Sequence, residues 1–244
     1  MCGRFTLTIT VEAIQERFEV AGELPAIEPR YNIAPGQPVP VVLTGGTRSL
    51  QAMRWGLAPP WVRERPGGRS LINLRAETLR DKAGFRRLLA GSRCLVPADG
   101  FFEWARDAAG RRGSPYRFAL RNGAPFAFAG LWEIETTADG REAPAFTIIT
   151  TEPNALVRQV HDRMPVILPR AAEESWLSAG TDATGELLAL LKPFPATEMT
   201  SYAVSALVNS PKNDSPACIQ PADLPARQPE LWPKPEAPDG KDAH

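Results

Sequence analysis

The feature that most constrains the fold of this chain is a succession of short apolar runs cut apart by turn-forming residues. Residues 39–43 and 49–55 read as strands joined at Gly45-Gly46, a hairpin. Residues 115–120 and 125–132 flank Asn122-Gly123, which predicts a second hairpin, because the favoured two-residue turn needs positive φ at its centre. Residues 94–97, 100–105 and 145–151 read as further strands. Helical periodicity is confined to short stretches. Residues 10–20 can be capped by Thr10, with Val11, Ile14 and Phe18 on one face. Residues 76–90 place Leu79, Phe85, Leu88 and Leu89 on an apolar side, with Gly91 suited to the end. Residues 153–160, 170–178 and 185–191 also read as helical, whereas the Pro- and Gly-rich residues 23–37 read as loop. Ala58-Pro59-Pro60-Trp61 reads as a rigid turn opening a basic loop through Arg69. Strands outnumber helices and do not alternate strictly with them. The expected class is α+β: a single domain whose curved, largely antiparallel sheet forms a barrel-like core flanked by short helices. The domain is expected over residues 1–219, with the Pro-rich residues 220–244 as a flexible tail.

Composition narrows the chemistry. Lys and Arg number 28 against 28 Asp and Glu, so any polyanion partner must be met by charge gathered on one face. The three cysteines, Cys2, Cys94 and Cys218, are too far apart in sequence for a disulfide framework or a zinc spacing. With His161 and His244 the only histidines, no metal site and no cofactor are expected. The N-terminus lacks the apolar run of a signal peptide, and no stretch reaches membrane-spanning length. A reducing, cytoplasmic setting and a monomer are the expectations. A GxSxG elbow, a phosphate-binding P-loop and a GxGxxG turn are all missing from the sequence.

Cys2 directly follows the initiator Met1. Loss of Met1 would leave an α-amine and a thiol on adjacent carbons, both with a reactive fraction near neutral pH. That pair can attack one electrophilic carbon twice, turning an aldehyde into an imine and then a thiazolidine. The plainer reading of Cys2 is a small buried hydrophobe. Glu103 sits among aromatics in Phe101-Phe102-Glu103-Trp104, where burial would raise its pKa toward a value useful for proton transfer. Strand alternation allows it to point to water equally well. His161 is the one imidazole available as an acid or base within the domain, or else a surface histidine. Asn73 and Arg75 alternate on a strand-like entry and can face one cleft together, suited to a phosphate or a sugar oxygen, or they can serve helix capping with Glu77. Arg4, Arg54, Arg63, Arg65, Arg69, Arg80, Arg86 and Arg87 accumulate in the first part of the chain around Trp55 and Trp61. Such interleaving fits single-stranded nucleic acid, and fits equally a solvated surface over two core tryptophans.

Taken in order, Met1-Cys2-Gly3-Arg4-Phe5, Tyr31-Asn32-Ile33-Ala34-Pro35-Gly36, Trp55-Gly56-Leu57-Ala58-Pro59, Asn73-Leu74-Arg75-Ala76-Glu77-Thr78, Ala98-Asp99-Gly100-Phe101-Phe102-Glu103-Trp104 and His161-Asp162-Arg163-Met164-Pro165 resemble the motifs of the SRAP family. These "SOS response-associated peptidase" proteins crosslink to abasic sites in DNA. The run Val208-Asn209-Ser210-Pro211-Lys212-Asn213-Asp214 is similar to the family as well. The resemblance implies removal of Met1 by self-processing, which is what "peptidase" would cover. It then implies thiazolidine capture of the ring-opened abasic sugar in single-stranded DNA. By motif position Cys2 is the nucleophile, Asn73 holds Cys2 and the sugar, Glu103 moves protons, and His161 assists at the sugar oxygen. Arg4, Asn32, Arg75 and Arg163 would contact the DNA near the lesion, with Trp61 packing against the splayed strand. Nucleoid association on damaged DNA follows from the same likeness. Two other readings fit parts of the sequence: an N-terminal-nucleophile cysteine amidohydrolase or peptidase, and a noncovalent nucleic-acid-binding module in which Cys2 only packs.

Overall fold

A computed structural model describes residues 2–22, 27–59, 62, 70–106, 110–137, 140–180 and 183–222. In chain order the strands are β1 (Phe5–Leu7), β2 (Arg30–Ile33), β3 (Pro38–Thr44), β4 (Arg48–Trp55), β5 (Asn73–Arg75), β6 (Arg93–Ala98) and β7 (Gly100–Arg106). They continue with β8 (Arg112–Leu120), β9 (Phe126–Thr136), β10 (Glu142–Thr151), β11 (Met164–Pro165), β12 (Ile167–Leu168) and β13 (Met199–Ala203). The helices are α1 (Val11–Phe18), α2 (Ala83–Gly91), α3 (Arg170–Ser178) and α4 (Thr184–Ala189). β3 pairs antiparallel with β4 and β6, β6 with β9, and β9 with β10. A parallel pairing of β10 with β4 closes this ring into a five-stranded mixed barrel. β5 adds to it alongside β10 in parallel, while β11 and β12 cap β10 and β9. A second, fully antiparallel sheet runs β13-β8-β7-β1-β2. The expected α+β class with a curved, largely antiparallel, barrel-like core is what the chain adopts.

One aromatic stack joins barrel and sheet. Phe5 of β1 meets Trp55 edge-on at 5.1 Å and Phe128 at 5.7 Å, and Trp55 stacks on Phe146. Phe101 stacks on Phe118 at 5.1 Å and leans on Phe128. All of these rings are fully buried, and ring pairs of this kind add to what their burial alone supplies. Trp55 is therefore a core residue and not a stacking platform at the surface; its indole donates to the Ile72 carbonyl at 2.8 Å.

Several local readings hold and several are corrected. The hairpin at Gly45-Gly46 forms, its register running from Pro38 opposite Arg54 to Thr44 opposite Arg48. Thr10 caps α1 by accepting from the Ala13 amide, worth about 1 kcal/mol. Residues 30–33, read as loop, instead pair with β1. The Asn122-Gly123 turn exists, with Gly123 at φ +70 and its amide on the Leu120 carbonyl, but it does not make a hairpin. β8 pairs with β7 and β13 while β9 pairs with β6, β10 and β12, so the turn hands the chain from one sheet to the other. The helix expected over 76–90 is split into a 3-10 turn (Ala76–Thr78) and α2. Along one unbroken helix Leu79 and Phe85 would lie roughly 120° apart. The extended Lys82 between them lets both enter the core. Residues 153–160 form only a 3-10 turn (Val157–Gln159). The tail from residue 223 onward lies outside the described residues.

Candidate active site

The Asp99-Gly100 corner between β6 and β7 sets where the N-terminus lies. Asp99 accepts from the Thr6 hydroxyl and from the amide and hydroxyl of Thr8 at 2.5 and 2.6 Å, and pairs with Arg117 at 3.2 Å. The Arg117 guanidinium passes so close to Gly100 that a Cβ there would meet it at 2.7 Å, so a larger residue would have to push aside the arginine that pairs with Asp99. These bonds tie β1 to β7 with Phe5 opposite Phe101, and the Phe102 amide donates to the Arg4 carbonyl at 3.0 Å. Continuing that register brings the Cys2-Gly3 segment beside Glu103.

Cys2 is fully buried, with its thiol toward the Arg4 carbonyl at 3.7 Å. Burial, and then the negative charge of Glu103, push the thiol pKa well above the ordinary range. Asn73, on β5, donates from Nδ2 to the Cys2 carbonyl at 2.8 Å. Its Oδ1 is buried and accepts no hydrogen bond from the described residues. β5 keeps this residue in place by pairing Asn73 with Ile148 of β10, while alternation buries Leu74 and leaves Arg75 exposed.

Glu103 is 3 % exposed. Strand alternation separates core from solvent only where one face of the strand is wet. Both faces of β7 are covered. Phe101 packs into the main core, and Phe102 enters a second cluster with Val204, Val208 and Cys218. Burial raises the Glu103 carboxyl to about 7. His161 follows the Val157–Gln159 turn, and its Nε2 lies 3.9 Å from Glu103 Oε2. Its Nδ1 accepts from the Arg163 amide at 3.0 Å and stands 2.9 Å from Asp162 Oδ1. Burial lowers the His161 pKa, Asp162 opposing it. A carboxyl poised near neutrality beside a predominantly neutral imidazole can pass a proton in either direction at physiological pH.

The remaining expected residues separate into two groups. Arg163 gives both terminal nitrogens to Glu77, at 2.6 and 2.9 Å, and donates to the Thr150 carbonyl at 2.7 Å. It thus stands next to β5 and the exposed Arg75. Arg4 and Asn32 instead secure the C-terminal segment. Arg4 donates to Asn32 Oδ1 at 2.9 Å and to the Val208 and Asn209 carbonyls at 2.7 and 3.3 Å. Asn32 is fully buried and donates to the carbonyls of Val208, Ser210 and Asn213. Trp61, with Arg63, Arg65 and Arg69, lies outside the described residues. The expected arginine rim is partly quenched, since Arg54 pairs with Glu135 and Arg87 with Glu133.

Sequence reasoning missed Trp104, Arg106, Arg112 and Arg158, which line hollows shared with Glu103 and His161. The β7–β8 register slips between Trp104 and Arg106, a bulge that re-aims side chains and that no residue pattern announced. A separate apolar pocket of about 210 Å³, bordered by Leu7, Ile33, Val39 and Ala52, contains none of the expected site residues. Among the described residues no group of His, Cys, Asp and Glu is placed to hold a metal ion, and no helix is long and apolar enough to cross a membrane.

Comparison with known proteins agrees with this architecture. Residues 1–211 match the family described as SOS response associated peptidase (SRAP), and the chain belongs to that family. It is 44 % identical over 223 residues to the abasic site processing protein YoqW of Bacillus subtilis, covering 90 % of this chain and 99 % of that protein. It is 31 % identical to the abasic site processing protein HMCES of Gallus gallus, over 80 % of this chain and 67 % of the relative. Among solved structures, a protein from Bacteroides thetaiotaomicron superposes with a TM-score of 0.78 at 27 % identity, covering 91 % of this chain and all of that one. A protein from Bordetella bronchiseptica gives 0.68 at 28 % identity, over 84 % of this chain and all of that one.

Proposed function

We propose that this protein processes abasic sites in DNA by capturing the ring-opened aldehyde covalently on Cys2, once Met1 has been removed. The observation that carries the reading is the meeting, at the end of β1, of Cys2 with an amide on its carbonyl (Asn73) and a buried carboxyl–imidazole pair. The α-amine adds to the aldehyde carbon, and the resulting carbinolamine expels its oxygen as water to give an imine. The Cys2 sulfur then adds to the imine carbon and its proton passes to the nitrogen, closing a thiazolidine. Glu103, poised near pH 7, protonates the departing oxygen and accepts protons from the attacking groups. The buried thiol resists ionisation in the free protein, so transfer of its proton must accompany attack. Holding both nucleophilic atoms beside one carbon supplies a large effective concentration. Single-stranded DNA fits a lesion whose sugar must reach a site at the end of a strand. Cytoplasmic residence with nucleoid association, monomeric action, and a domain ending near residue 219 complete the proposal.

The test is incubation with single-stranded DNA bearing an abasic site. Wild-type protein is expected to give a heat-stable, slow-migrating adduct, and Cys2→Ala none. Full adduct yield from Cys2→Ala contradicts the mechanism, and amide hydrolysis without DNA favours the amidohydrolase reading.

A further inference from the structure

The hollow that Glu103 and His161 border continues into a basic cleft that neither Cys2 nor Asn73 lines. Arg106 ends β7, Arg112 begins β8, and Arg158 lies in the turn before His161. All three are exposed, and they border adjoining hollows of about 500 and about 200 Å³ that share Arg106 and His161. Several other arginines are neutralised by acids, as in Arg17 with Glu173, Arg117 with Asp99 and Arg163 with Glu77, while Arg4, Arg93 and Arg121 spend their donors on backbone carbonyls and, for Arg4, the Asn32 amide. Among the described residues, no salt bridge ties Arg106, Arg112 or Arg158 to a carboxylate, and Glu103 acts on Arg106 and Arg112 only through its field at longer range. Arg106 and Arg158 each give one nitrogen to a backbone carbonyl, Gly110 and Pro153, leaving further donors for a ligand. The Arg112 guanidinium lies over the Trp104 ring at 3.8 Å, and Trp104 is itself fixed by donating to Asn209 Oδ1 at 2.7 Å. An arginine seated over an indole keeps N–H donors for contact with phosphate. The same hollows also border Glu103 and Asp162, so three arginines face two carboxyls, and with Glu103 raised toward neutrality the balance there stays positive on a chain of zero net charge.

The geometry points to a phosphodiester-binding arm: Arg106, Arg112 and Arg158 hold backbone phosphates of the nucleotides on one flank of the abasic site, opposite the flank met by Arg75. This rests on the function proposed above and adds to it the path of the strand. The β7 bulge is what turns Arg106 toward the hollow that Glu103 borders.

The test uses noncovalent binding of single-stranded oligonucleotides carrying a tetrahydrofuran in place of the abasic sugar. That ring cannot open to an aldehyde, so the readout is independent of Cys2 chemistry. R106Q/R112Q should bind about tenfold more weakly at low salt. The dependence of log K on log salt should become shallower by about 1.4, two lost contacts on a single strand. With all nucleotides on one side of the tetrahydrofuran the loss should persist, and with all on the other side it should vanish. Wild-type protein with neutral methylphosphonate linkages on the sensitive flank should reproduce the loss without any change to the fold. Unchanged affinity and slope, or equal losses on both one-sided oligonucleotides, overturn the arm. Failure of wild-type protein to crosslink native abasic DNA would instead count against the function itself.

Discussion

Glu103 shows how the site is built at the scale of a single residue. Its carboxyl is raised from an ordinary 4.5 to about 7 by burial. Because the folded value lies above the unfolded one, folding is penalised at high pH. The penalty is absent below about pH 4.5, grows as the pH rises, and is complete above about pH 7, where it reaches ~3 kcal/mol. Glu103→Gln should therefore stabilise the protein at pH 8 by up to ~3 kcal/mol, with the gain shrinking toward zero near pH 4. Denaturant unfolding across that range checks it, and a Gln variant less stable at pH 8 would show that the carboxylate is better compensated than its burial implies. The same variant should crosslink abasic DNA more slowly, with the pH dependence near neutrality flattened. Stability lost to a functional carboxyl is a familiar trade at sites that need a shifted pKa. Glu103 was identifiable in the sequence as a polar residue among aromatics. Its burial was not, because the groups packed around it, Cys2 and His161, come from distant parts of the chain.

At the scale of elements, the segment 204–219 is what makes β7 two-sided. It lays Val204, Val208 and Cys218 on Phe102, and its backbone is held by Arg4 and Asn32. Asp214 accepts from the Tyr31 and Asn32 amides and pairs with Arg30. Asn32→Ala would remove the buried amide that donates to the Val208, Ser210 and Asn213 carbonyls and accepts from Arg4, and should cost about 2–3 kcal/mol, lowering the melting temperature by roughly 4–12 °C. Thermal unfolding measures it, and a shift below one degree would mean that the segment is held by its apolar contacts alone. Local reading succeeded where an element is self-contained, as in the β3–β4 hairpin and in α1 with its Thr10 cap. It failed where partners are remote. The Asn122-Gly123 turn has hairpin chemistry, yet its flanking strands belong to different sheets. β2 was hidden in a Pro- and Gly-rich stretch because its partner, β1, is a three-residue strand with no periodicity of its own. Cys2, Asn73, Glu103 and His161 could each be singled out in the sequence, but the residues alone left every one open to a purely structural reading, and it was the order of motifs that grouped them.

For the whole molecule, zero net charge limits long-range attraction to a polyanion, so the proposed function requires encounter with DNA through local clusters such as Arg75 and the proposed arm around Arg106. Crosslinking at limiting DNA should slow steeply as salt rises, because phosphate contacts release counterions, while an adduct already formed should survive the same salt unchanged. Equal rates at low and high salt would mean that recognition rests on something other than phosphates. The most direct measurement is the intact mass of the heat-treated adduct between the protein and an abasic oligonucleotide. The expected value is that of the chain beginning at Cys2 plus the oligonucleotide less one water, stable without a reducing agent because the sulfur has closed the ring. An adduct that retains Met1, or one that falls apart on heating unless reduced, would contradict capture by the nitrogen and sulfur of residue 2.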